Sequence, residues 1–272
     1  PGEFNIVQCK NCSLIYLNPQ PEPEEIKKYY PDEYEAYSKN YFIRFITKII
    51  AKLDIKNFGH FLPNDAKILE IGCGTGEYLS AIKEGSNYEV KGIEISEHAV
   101  SIAQRYGLNV ILGDLFSAKF EASSFDLIIM RHVLEHLSDP HEVLKEIRRI
   151  LKDNGMIYLV IPNADTIQRK IFKEYWSGYD VPRHLFLFSV TTSSELLKKN
   201  KFKLLYLKHS IVPNDWIESI KFYLKGKNSP KFLVNFFNIS NPLLLFIFTP
   251  LSIVLSIFKN SSRIKILAQK IP

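Results

Sequence analysis

Hydrophobic and polar positions follow two periods along most of the chain, one typical of strands and one typical of helices. Short apolar runs rich in β-branched residues alternate with longer stretches that have one apolar face at helical spacing. The alternation predicts an α/β fold with a parallel sheet and helices on its faces. The predicted strands are 67–71, 89–95, 109–112, 125–130, 156–161, 202–208 and 263–270.

Two helices have the clearest patterns. Asp139 is predicted to cap one of them, with Pro140 at the first position, Glu142 at the capping-box position and Asn154-Gly155 at its end. Its buried stripe is expected to be Val143, Leu144, Ile147, Ile150 and Leu151. The other helix, 41–58, has a stripe that we expect to pack on the sheet, namely Phe42, Phe45, Ile46, Ile49, Ile50 and Leu53.

Residues 212–262 interrupt the alternation. No charged residue occurs from Phe232 to Phe258, and this run explains an aromatic content of 13%. Its length approaches the roughly 20 residues of a membrane-spanning helix. However, Pro242 and Pro250 are expected to divide it into short helices that lie on a membrane or pack on the domain. An insertion packed between the last two strands, or a dimer interface, is an equally good interpretation.

Positive charge is concentrated beside this run. The net charge is +6, and the flanking cations suit anionic lipid headgroups: Lys221, Lys225, Lys227, Lys231, Lys259, Arg263 and Lys265. This position favours a membrane over nucleic acid as partner. A length of 272 residues suits one catalytic domain with additions. We expect a cover segment at 1–40, the catalytic domain at 41–211 and 263–272, and an apolar insertion at 212–262.

The three cysteines give no disulfide framework. No secretory signal opens the sequence, so we expect a cytoplasmic protein. Cys9 and Cys12 have the C-x2-C spacing of a zinc knuckle, but tetrahedral zinc needs four ligands and no second pair lies nearby. Metal-free thiols are therefore the better interpretation, which zinc analysis of a longer chain would test.

A glycine-rich turn follows the first predicted strand. The run Glu70-Ile-Gly-Cys-Gly-Thr-Gly76 leads into a helix, where glycines let a backbone approach a ligand, although such a turn also occurs without one. Glu94 ends the second strand, where a carboxylate can accept both hydroxyls of a ribose. Asp114 follows the third strand and is placed to accept from an exocyclic amine. Three such strand ends form one crevice in an open α/β sheet.

Four segments together resemble the successive motifs of class I S-adenosylmethionine-dependent methyltransferases. They are Leu69–Gly76, Gly92–Ile95, Gly113-Asp114 and Phe125–Leu137. The resemblance is to the type 11, 12 and 23 group with its quinone O-methyltransferase-like members, and it covers about residues 60–210 and the last strand. It implies a Rossmann-like sheet of seven strands in the order 3-2-1-4-5-7-6, with the last strand antiparallel. An N-terminal helical cover and an apolar helical insertion before the last strand complete the expected fold.

The same resemblance implies the residues that bind S-adenosylmethionine and its product S-adenosylhomocysteine. The glycine loop would meet the methionine part, the acid of the second strand the ribose, and the acid after the third strand the adenine amine. The implied cofactor residues are Glu70, Gly72, Cys73, Gly74, Gly76, Glu94, Ile95, Asp114, Leu115 and Arg131.

Other functions fit the pattern less well. An NAD-type oxidoreductase would carry G-x-G-x-x-G, whereas here the third Gly comes one residue earlier and Glu77 follows, where a carboxylate repels a pyrophosphate. A nucleic acid methyltransferase directed at amino groups would carry an Asn-Pro-Pro-Tyr-like run after strand four, and Asn163 after Pro162 is not that motif. A non-catalytic, membrane-associated module that keeps the cofactor fold stays open as an alternative.

The residues that act on the substrate are predicted after strand four. His132, Glu135 and His136 at i, i+3 and i+4 would share one face of a helical turn. Relatives that methylate quinone-type hydroxyls carry Glu-x-x-Glu-His there, implicated in binding a divalent metal, and His132 replaces the first Glu, so we assign no metal. His132 or His136 is a candidate general base. Alternatively, Glu135 and His136 only cap loops and bind backbone.

A second acceptor segment is predicted after strand five. Residues 175–189, with Pro182-Arg-His-Leu185, resemble a segment of a bacterial and archaeal subgroup associated with modification of glycans or lipid-linked glycans. Arg183 or the catalytic candidate His184 would hold an anionic or hydroxylated substrate, or else pin the loop. Trp176 and Tyr179 would stack on a sugar or merely pack. The sequence therefore predicts O-methylation of a small, glycan or lipid-linked hydroxylated acceptor, at the inner face of a membrane.

Overall fold

The computed structural model describes residues 3–22, 25, 27–29 and 41–272. Its contacts divide the chain into two compact units. The tail unit contains the chain up to Glu22, Val160–Glu195 and Leu207–Lys265. The loop unit contains Pro23–Leu159, Leu196–Tyr206 and Ile266–Pro272. These units group the chain differently from the three expected parts, because the N-terminal segment and the apolar insertion fall in the same unit.

The described residues form strands in two sheets. In chain order the strands are β1 (Asn5–Gln8), β2 (Ile15–Asn18), β3 (Lys67–Ile71), β4 (Glu89–Glu94), β5 (Val110–Leu112), β6 (Phe125–Arg131), β7 (Leu151–Pro162), β8 (Phe186–Leu187), β9 (Phe202–His209) and β10 (Arg263–Lys270). The larger sheet has the order β5-β4-β3-β6-β7-β10-β9, which confirms the predicted order 3-2-1-4-5-7-6.

The direction of the last strand is also as predicted. Strands β3, β4, β5 and β6 pair in parallel. Beside β9, Ser210 N donates to Arg263 O at 2.9 Å and Ile271 N to Lys201 O at 3.0 Å, so residue numbers rise on one strand as they fall on the other. β10 is therefore antiparallel to β9, as the resemblance implied.

Helices occupy the connections between the strands. They are α1 (Tyr41–Phe58), α2 (Glu77–Glu84), α3 (Glu97–Arg105), α4 (Pro140–Ile150), α5 (Ile167–Phe172), α6 (Val190–Lys199), α7 (Pro213–Gly226), α8 (Lys231–Phe236) and α9 (Pro242–Ile257). Among them, α4 confirms its prediction most fully. Asp139 Oδ1 accepts from His141 N and Glu142 N, both at 3.0 Å, and the expected apolar stripe is buried throughout.

The predicted end of α4 is wrong. The helix ends at Ile150, and β7 begins at Leu151. Asn154 and Gly155, expected to stop the helix, lie inside the strand, where Asn154 has a φ of 62°. Asn adopts this left-handed conformation more readily than most residues, so the same pair of residues that ends helices also fits an irregularity within a strand.

The stripe predicted to pack α1 on the sheet is wrong for four of the five residues whose side chains are described, because Ile50 alone among them is half-buried. Phe45 is 61% exposed, and Ile46, Ile49 and Leu53 are exposed as well. The buried face of α1 instead contains Ala51, Asp54 and Phe58, and the Phe58 ring lies 4.8 Å from that of Tyr158. Asp54 can be buried because its carboxylate accepts a hydrogen bond from Tyr78 Oη at 3.1 Å.

The N-terminal segment forms a small sheet, which the sequence pattern did not predict. β1 pairs with β2 and β2 with β8, all antiparallel. Cys9 and Cys12 lie in the hairpin connection as free thiols, and the backbone N–H groups of Cys12 and Asn11 lower the pKa of Cys9. The cover segment predicted at 1–40 lies partly outside the described residues, which include Tyr29 but not Tyr30, Tyr34 or Tyr37.

The apolar run forms α8 and α9 in the tail unit. Pro242 starts α9 as predicted, with Asn241 Oδ1 accepting from Leu243 N at 3.1 Å. The expected break at Pro250 is wrong, because α9 continues through it to Ile257. A proline removes one helical hydrogen bond, and here the packed neighbours of α9 maintain the helix. Among the described residues, no helix combines the length and the apolar character needed to cross a bilayer.

Candidate active site

The glycine loop, residues 72–76, connects the carboxyl end of β3 to α2. Gly72 and Gly76 have φ of 69° and 81°, in the left-handed region that glycine adopts without strain. Space is restricted too, since a Cβ on Gly72 would lie 2.6 Å from Val133 Cγ2 and one on Gly76 2.3 Å from Leu108 Cδ1. At Gly72 and Gly76 the backbone therefore carries no side chain, which lets a ligand approach it closely, as in a ligand-binding turn.

Cys73 turns its side chain away from the backbone face of this loop. Its thiol is buried in a cluster with Val100, Ala103, Leu108 and Val110. Burial raises the pKa of this thiol well above its usual range, so it stays protonated. Of the predicted cofactor residue Cys73, only the backbone is available to a ligand at the strand end.

Glu94, at the end of β4, holds the glycine loop. Its Oε2 accepts from Gly74 N at 2.9 Å, and its Oε1 accepts from Ile95 N and Ser96 N at 2.9 and 3.0 Å. Two carboxylate oxygens offer about four acceptor positions, so acceptor capacity remains for further donors. The structure thus brings Glu94 and Gly74, both predicted cofactor residues, into direct contact.

Glu70 and Arg131 lie side by side at the ends of β3 and β6. Arg131 Nη1 lies 3.9 Å from Glu70 Oε1, and the guanidinium stacks on the Tyr78 ring at 4.0 Å. Glu70 is 2% exposed, and this burial raises the pKa of its carboxyl to about 8 despite the charge of Arg131. In the described part of the chain, Glu70 Oε2 and Arg131 Nε are buried without a hydrogen-bond partner. Such atoms indicate a place that a polar ligand completes.

The third strand end contains a turn built around Asp114. Asp114 Oδ1 accepts from Phe116 N and Ser117 N at 2.9 and 2.7 Å, and its side chain faces solvent. Leu115 is buried, so only its backbone is available to a ligand. Ile95, in contrast, is 69% exposed although it is large and apolar. An exposed apolar side chain beside the strand ends suits the face of a planar ring.

Sequence analysis missed three residues of this region. The Tyr78 ring packs against the Arg131 guanidinium. Burial and the neighbouring charge of Asp54 raise the pKa of Tyr78. Phe116 is half exposed next to Asp114. The signal for Asp54 was present, because an acidic residue on the same helical face as Ala51 marks a buried polar contact. No comparable local signal distinguishes Tyr78 or Phe116.

The turn after β6 brings its three predicted residues together around Glu135. It is a 3₁₀ turn at Leu134–His136, and His132 precedes it with a φ of 55°. His132 Nδ1 lies 3.3 Å from Glu135 Oε1, and Glu135 is buried. Ligand atoms of Glu135 and His136 lie within 4.8 Å of each other. A non-glycine residue whose backbone lies in the left-handed region is strained, and such strain often occurs at functional positions.

His184 lies in the tail unit, in a loop of residues 177–184. Its Nδ1 is 2.9 Å from Gly178 O, and its Nε2 is 3.7 Å from Asp180 Oδ2. Arg183 also bonds to Asp180. Burial lowers the pKa of His184, although Asp180 opposes this shift. These contacts fit the interpretation that Arg183 and His184 pin the loop, and a catalytic role for His184 stays a prediction.

The two aromatic residues of this segment differ in their surroundings. Trp176 is buried in the core of the tail unit with Phe172 and Trp216, so it packs and does not offer a face to a sugar. Tyr179 lies edge-on to Trp176, with ring centroids 5.1 Å apart, and remains partly exposed. Only Tyr179 has a ring surface available to a ligand.

A comparison of the sequence with models of known protein families agrees with the arrangement of these strand-end residues. A family model for a methyltransferase domain matches residues 38–207, more than half of the chain. The chain belongs to the class I S-adenosylmethionine-dependent methyltransferases. It is an enzyme of that family, with S-adenosylmethionine as its cofactor, so the oxidoreductase and the non-catalytic alternatives are wrong.

Curated relatives of this methyltransferase support the family and its quinone-like branch. A demethylmenaquinone methyltransferase of Staphylococcus aureus is 27% identical over 191 residues, which cover 68% of this chain and 71% of the relative. An uncharacterized protein of Methanocaldococcus jannaschii is 27% identical over 174 residues, covering 64% of this chain and 79% of the relative.

Solved structures show the same fold for this methyltransferase. A possible histamine N-methyltransferase of Thermotoga maritima has a TM-score of 0.56 at 19% identity and covers 91% of this chain and 99% of its own. A putative sarcosine dimethylglycine methyltransferase of Galdieria sulphuraria has a TM-score of 0.56 at 16% identity, with 83% and 86% covered. Their acceptors differ, so this likeness concerns the fold and leaves the acceptor of this chain to its own residues.

Proposed function

We propose that this methyltransferase transfers a methyl group to a hydroxyl oxygen of a small, glycan or lipid-linked acceptor. The observation that carries the proposal is the pair of His132 and buried Glu135, whose Nδ1 and Oε1 atoms are 3.3 Å apart. A carboxylate beside one imidazole nitrogen fixes the tautomer and leaves the other nitrogen as a base. A poorly acidic hydroxyl needs such a base.

In the proposed reaction, His132 removes the proton and Glu135 positions the ring. S-adenosylmethionine, when bound, would supply a methyl group that its sulfonium already activates, with the C–S bond broken as the C–O bond forms and S-adenosylhomocysteine as the second product. His132 Nε2 would take the hydroxyl proton and pass it to water, and Glu135 would stabilise the imidazolium. His136, in the same turn, is the alternative base.

The cofactor residues are proposed from the strand ends of the loop unit. Glu70 Oε2 and Arg131 Nε, both buried without a partner, would accept from the amino group and donate to the carboxylate of the methionine part. Glu94 would accept from the ribose hydroxyls and Asp114 from the adenine amine. Ile95 would cover one face of the adenine. Gly72, Cys73, Gly74, Gly76 and Leu115 would contribute backbone only.

The acceptor class is proposed from a groove in the tail unit. The groove measures about 550 Å³, and its lining includes Arg169, Lys170, Lys173, Glu174 and Tyr179. Three cations against one carboxylate favour an anionic group such as the phosphate of a lipid-linked glycan, and the Tyr179 ring suits a sugar face. The relative named for demethylmenaquinone, a lipid quinone, also supports a lipid-soluble acceptor.

A lipid-linked acceptor requires access to a membrane surface. We therefore place the enzyme in the cytoplasm at the inner face of a membrane, with peripheral contact through residues 232–258. The exposed apolar side chains of that segment and the cations beside it support this placement.

The test is a single-turnover assay with labelled S-adenosylmethionine and a panel of quinols, free sugars and lipid-linked sugars. The wild-type protein should methylate an oxygen of at least one acceptor. His132→Ala should lower that rate by about 10²- to 10⁴-fold, because a general base contributes about that much. Its affinity for S-adenosylhomocysteine, measured by calorimetry, should stay the same.

His98→Ala is the matched control, since His98 is an exposed imidazole on α3. It should keep the wild-type rate. If His132→Ala also keeps the wild-type rate, His132 is not the base. If the wild-type protein methylates only nitrogen or carbon atoms of the panel, the proposal of O-methylation is wrong.

A further inference from the structure

The outward face of α9 is apolar along its whole length. Positions at helical spacing put Leu243, Phe246, Ile247, Pro250, Leu251, Ile253, Val254 and Ile257 on one exposed surface, which continues into Phe258. Phe246 is 77% exposed. Phe232 and Phe236 of α8 are exposed in the same unit. Helices that face water normally present polar residues there, so this surface calls for a partner.

The opposite face of α9 packs against other residues of the tail unit. Leu244 is 4% exposed, and the Phe248 ring stacks parallel to Trp216, 6.2 Å away and tilted by 5°. Ser256 Oγ donates to His209 O at 2.7 Å. These contacts hold α9 as a folded element of the unit and leave its outward face available for another surface.

Beyond Glu218 the charged residues along the sequence have one sign. Glu218 is the last acidic residue of the sequence, and the tail unit after it contains the cations Lys221, Lys225, Lys227, Lys231, Lys259, Arg263 and Lys265. Lys231 directly precedes Phe232, and Lys259 directly follows Phe258. A second copy of the chain would bring this cationic surface against itself, which electrostatic repulsion disfavours. An anionic lipid surface complements it.

The length of α9 decides how it meets such a surface. Sixteen residues span about 24 Å, less than the roughly 30 Å hydrocarbon core of a bilayer. One face of α9 is also packed on the protein, so the helix cannot be surrounded by lipid. A helix of this kind lies along the membrane with its apolar face at the boundary between headgroups and acyl chains.

We propose that α8 and α9 form a docking surface for an anionic lipid bilayer, with α9 parallel to the membrane plane. The inference rests on the membrane contact named in the proposed function and assigns it to particular residues. The apolar side chains supply insertion, and the lysines supply the preference for anionic lipid. Binding needs neither methyl donor nor acceptor.

The experiment is vesicle flotation of the full chain. One set of vesicles contains phosphatidylcholine alone, and the other contains phosphatidylcholine mixed with phosphatidylglycerol. The wild-type protein should bind the anionic vesicles at least tenfold more tightly, and salt should weaken the binding because screening acts on exposed charges. Phe246→Ser combined with Ile257→Ser should lower the bound fraction at least tenfold, and Lys231→Glu combined with Lys259→Glu should abolish the lipid preference.

Matched controls use exposed residues of other elements. Phe45→Ser on α1, and Lys56→Glu combined with Lys203→Glu, should bind as the wild type does. Thermal unfolding and S-adenosylhomocysteine binding of every variant separate a docking defect from misfolding. Because flotation is measured without an acceptor, a failed methylation assay leaves this result unchanged.

Two outcomes would overturn the proposal. One is equal binding of wild type and the Phe246→Ser, Ile257→Ser variant to anionic vesicles. The other is a wild-type protein that ignores both kinds of vesicle and sediments as a dimer that the same variant dissociates, which would assign the surface to a second copy of the chain.

Discussion

Two regions of this methyltransferase depart from the usual distribution of polar and apolar side chains, and they do so in opposite directions. At the ends of β3 and β4, Glu70 and Glu94 are buried. On α9 and just after it, Phe246 and Phe258 are exposed. Buried ionisable groups and exposed apolar surface both reduce the stability of a fold. Such departures therefore concentrate where a protein binds something, and the two regions call for partners of opposite chemistry.

The largest expected effect concerns the buried carboxylate of Glu135, next to the proposed base His132. Glu135→Gln should lower the rate of methylation by about 10²- to 10⁴-fold, because a neutral amide no longer stabilises the His132 imidazolium. The pH–rate profile should shift to show a weaker base, while binding of S-adenosylhomocysteine is kept. Glu135→Asp should recover part of the rate. An unchanged pH profile in Glu135→Gln would leave Glu135 with a structural role alone.

The next effect concerns pH and Glu70, whose pKa burial raises to about 8 from an ordinary value of 4.5. Between these two pH values the folded protein keeps a proton that the unfolded chain has lost. The free energy of unfolding should therefore fall as pH rises through this window, by up to about 5 kcal/mol. Glu70→Gln should remove this slope and weaken cofactor binding. Urea unfolding of both proteins at a series of pH values measures the difference, and parallel curves would contradict it.

The two faces of α9 give the third prediction. Leu244→Ala should lower the free energy of unfolding by about 2–5 kcal/mol, because it removes a buried side chain. Phe246→Ala should change it by less than about 0.5 kcal/mol, because Phe246 is exposed. Thermal and urea unfolding without lipid make the comparison. Equal losses would mean that the outward face of α9 is packed on protein.

The smallest effect concerns two helix caps that are chemically alike. Asp139 caps α4 and Asn241 caps α9, and each is followed by a proline at the first helical position. Replacing either cap by Ala should lower the free energy of unfolding by about 1 kcal/mol. Similar losses would show that both helices start by the same local means, although one faces the core and the other faces outward. A loss confined to Asp139→Ala would indicate that α9 depends on its packing alone.

Local signals explain most of what could be predicted. The strand order followed from the family motifs, and β10 was predicted with its observed bounds because it contains a short apolar run rich in β-branched residues. The start of α4 followed from the chemistry of Asp139 and Pro140. The cofactor residues were predicted by the same logic, since the carboxyl ends of parallel strands meet along one edge of a sheet, and they stay a prediction.

Contacts between distant residues explain what could not be predicted. Periodicity finds an apolar stripe on α1 but does not identify what it faces, and Asp54 is buried because Tyr78, 24 residues away, donates to it. The bond between Glu94 and Gly74 likewise spans 20 residues. Strands β1 and β2 depend on β8, which has two residues and no pattern of its own.

The position of β10 has a consequence for biosynthesis. β10 lies between β7 and β9 in the sheet, yet it follows α9 along the chain. While a ribosome is still adding residues 263–270, β9 cannot join the sheet, because the strand that links it to β7 does not yet exist. The sheet is therefore completed only when the last strand of the chain has entered between β7 and β9. β9 and β10 thus join it in one late step, after every helix in the described part of the chain has been made.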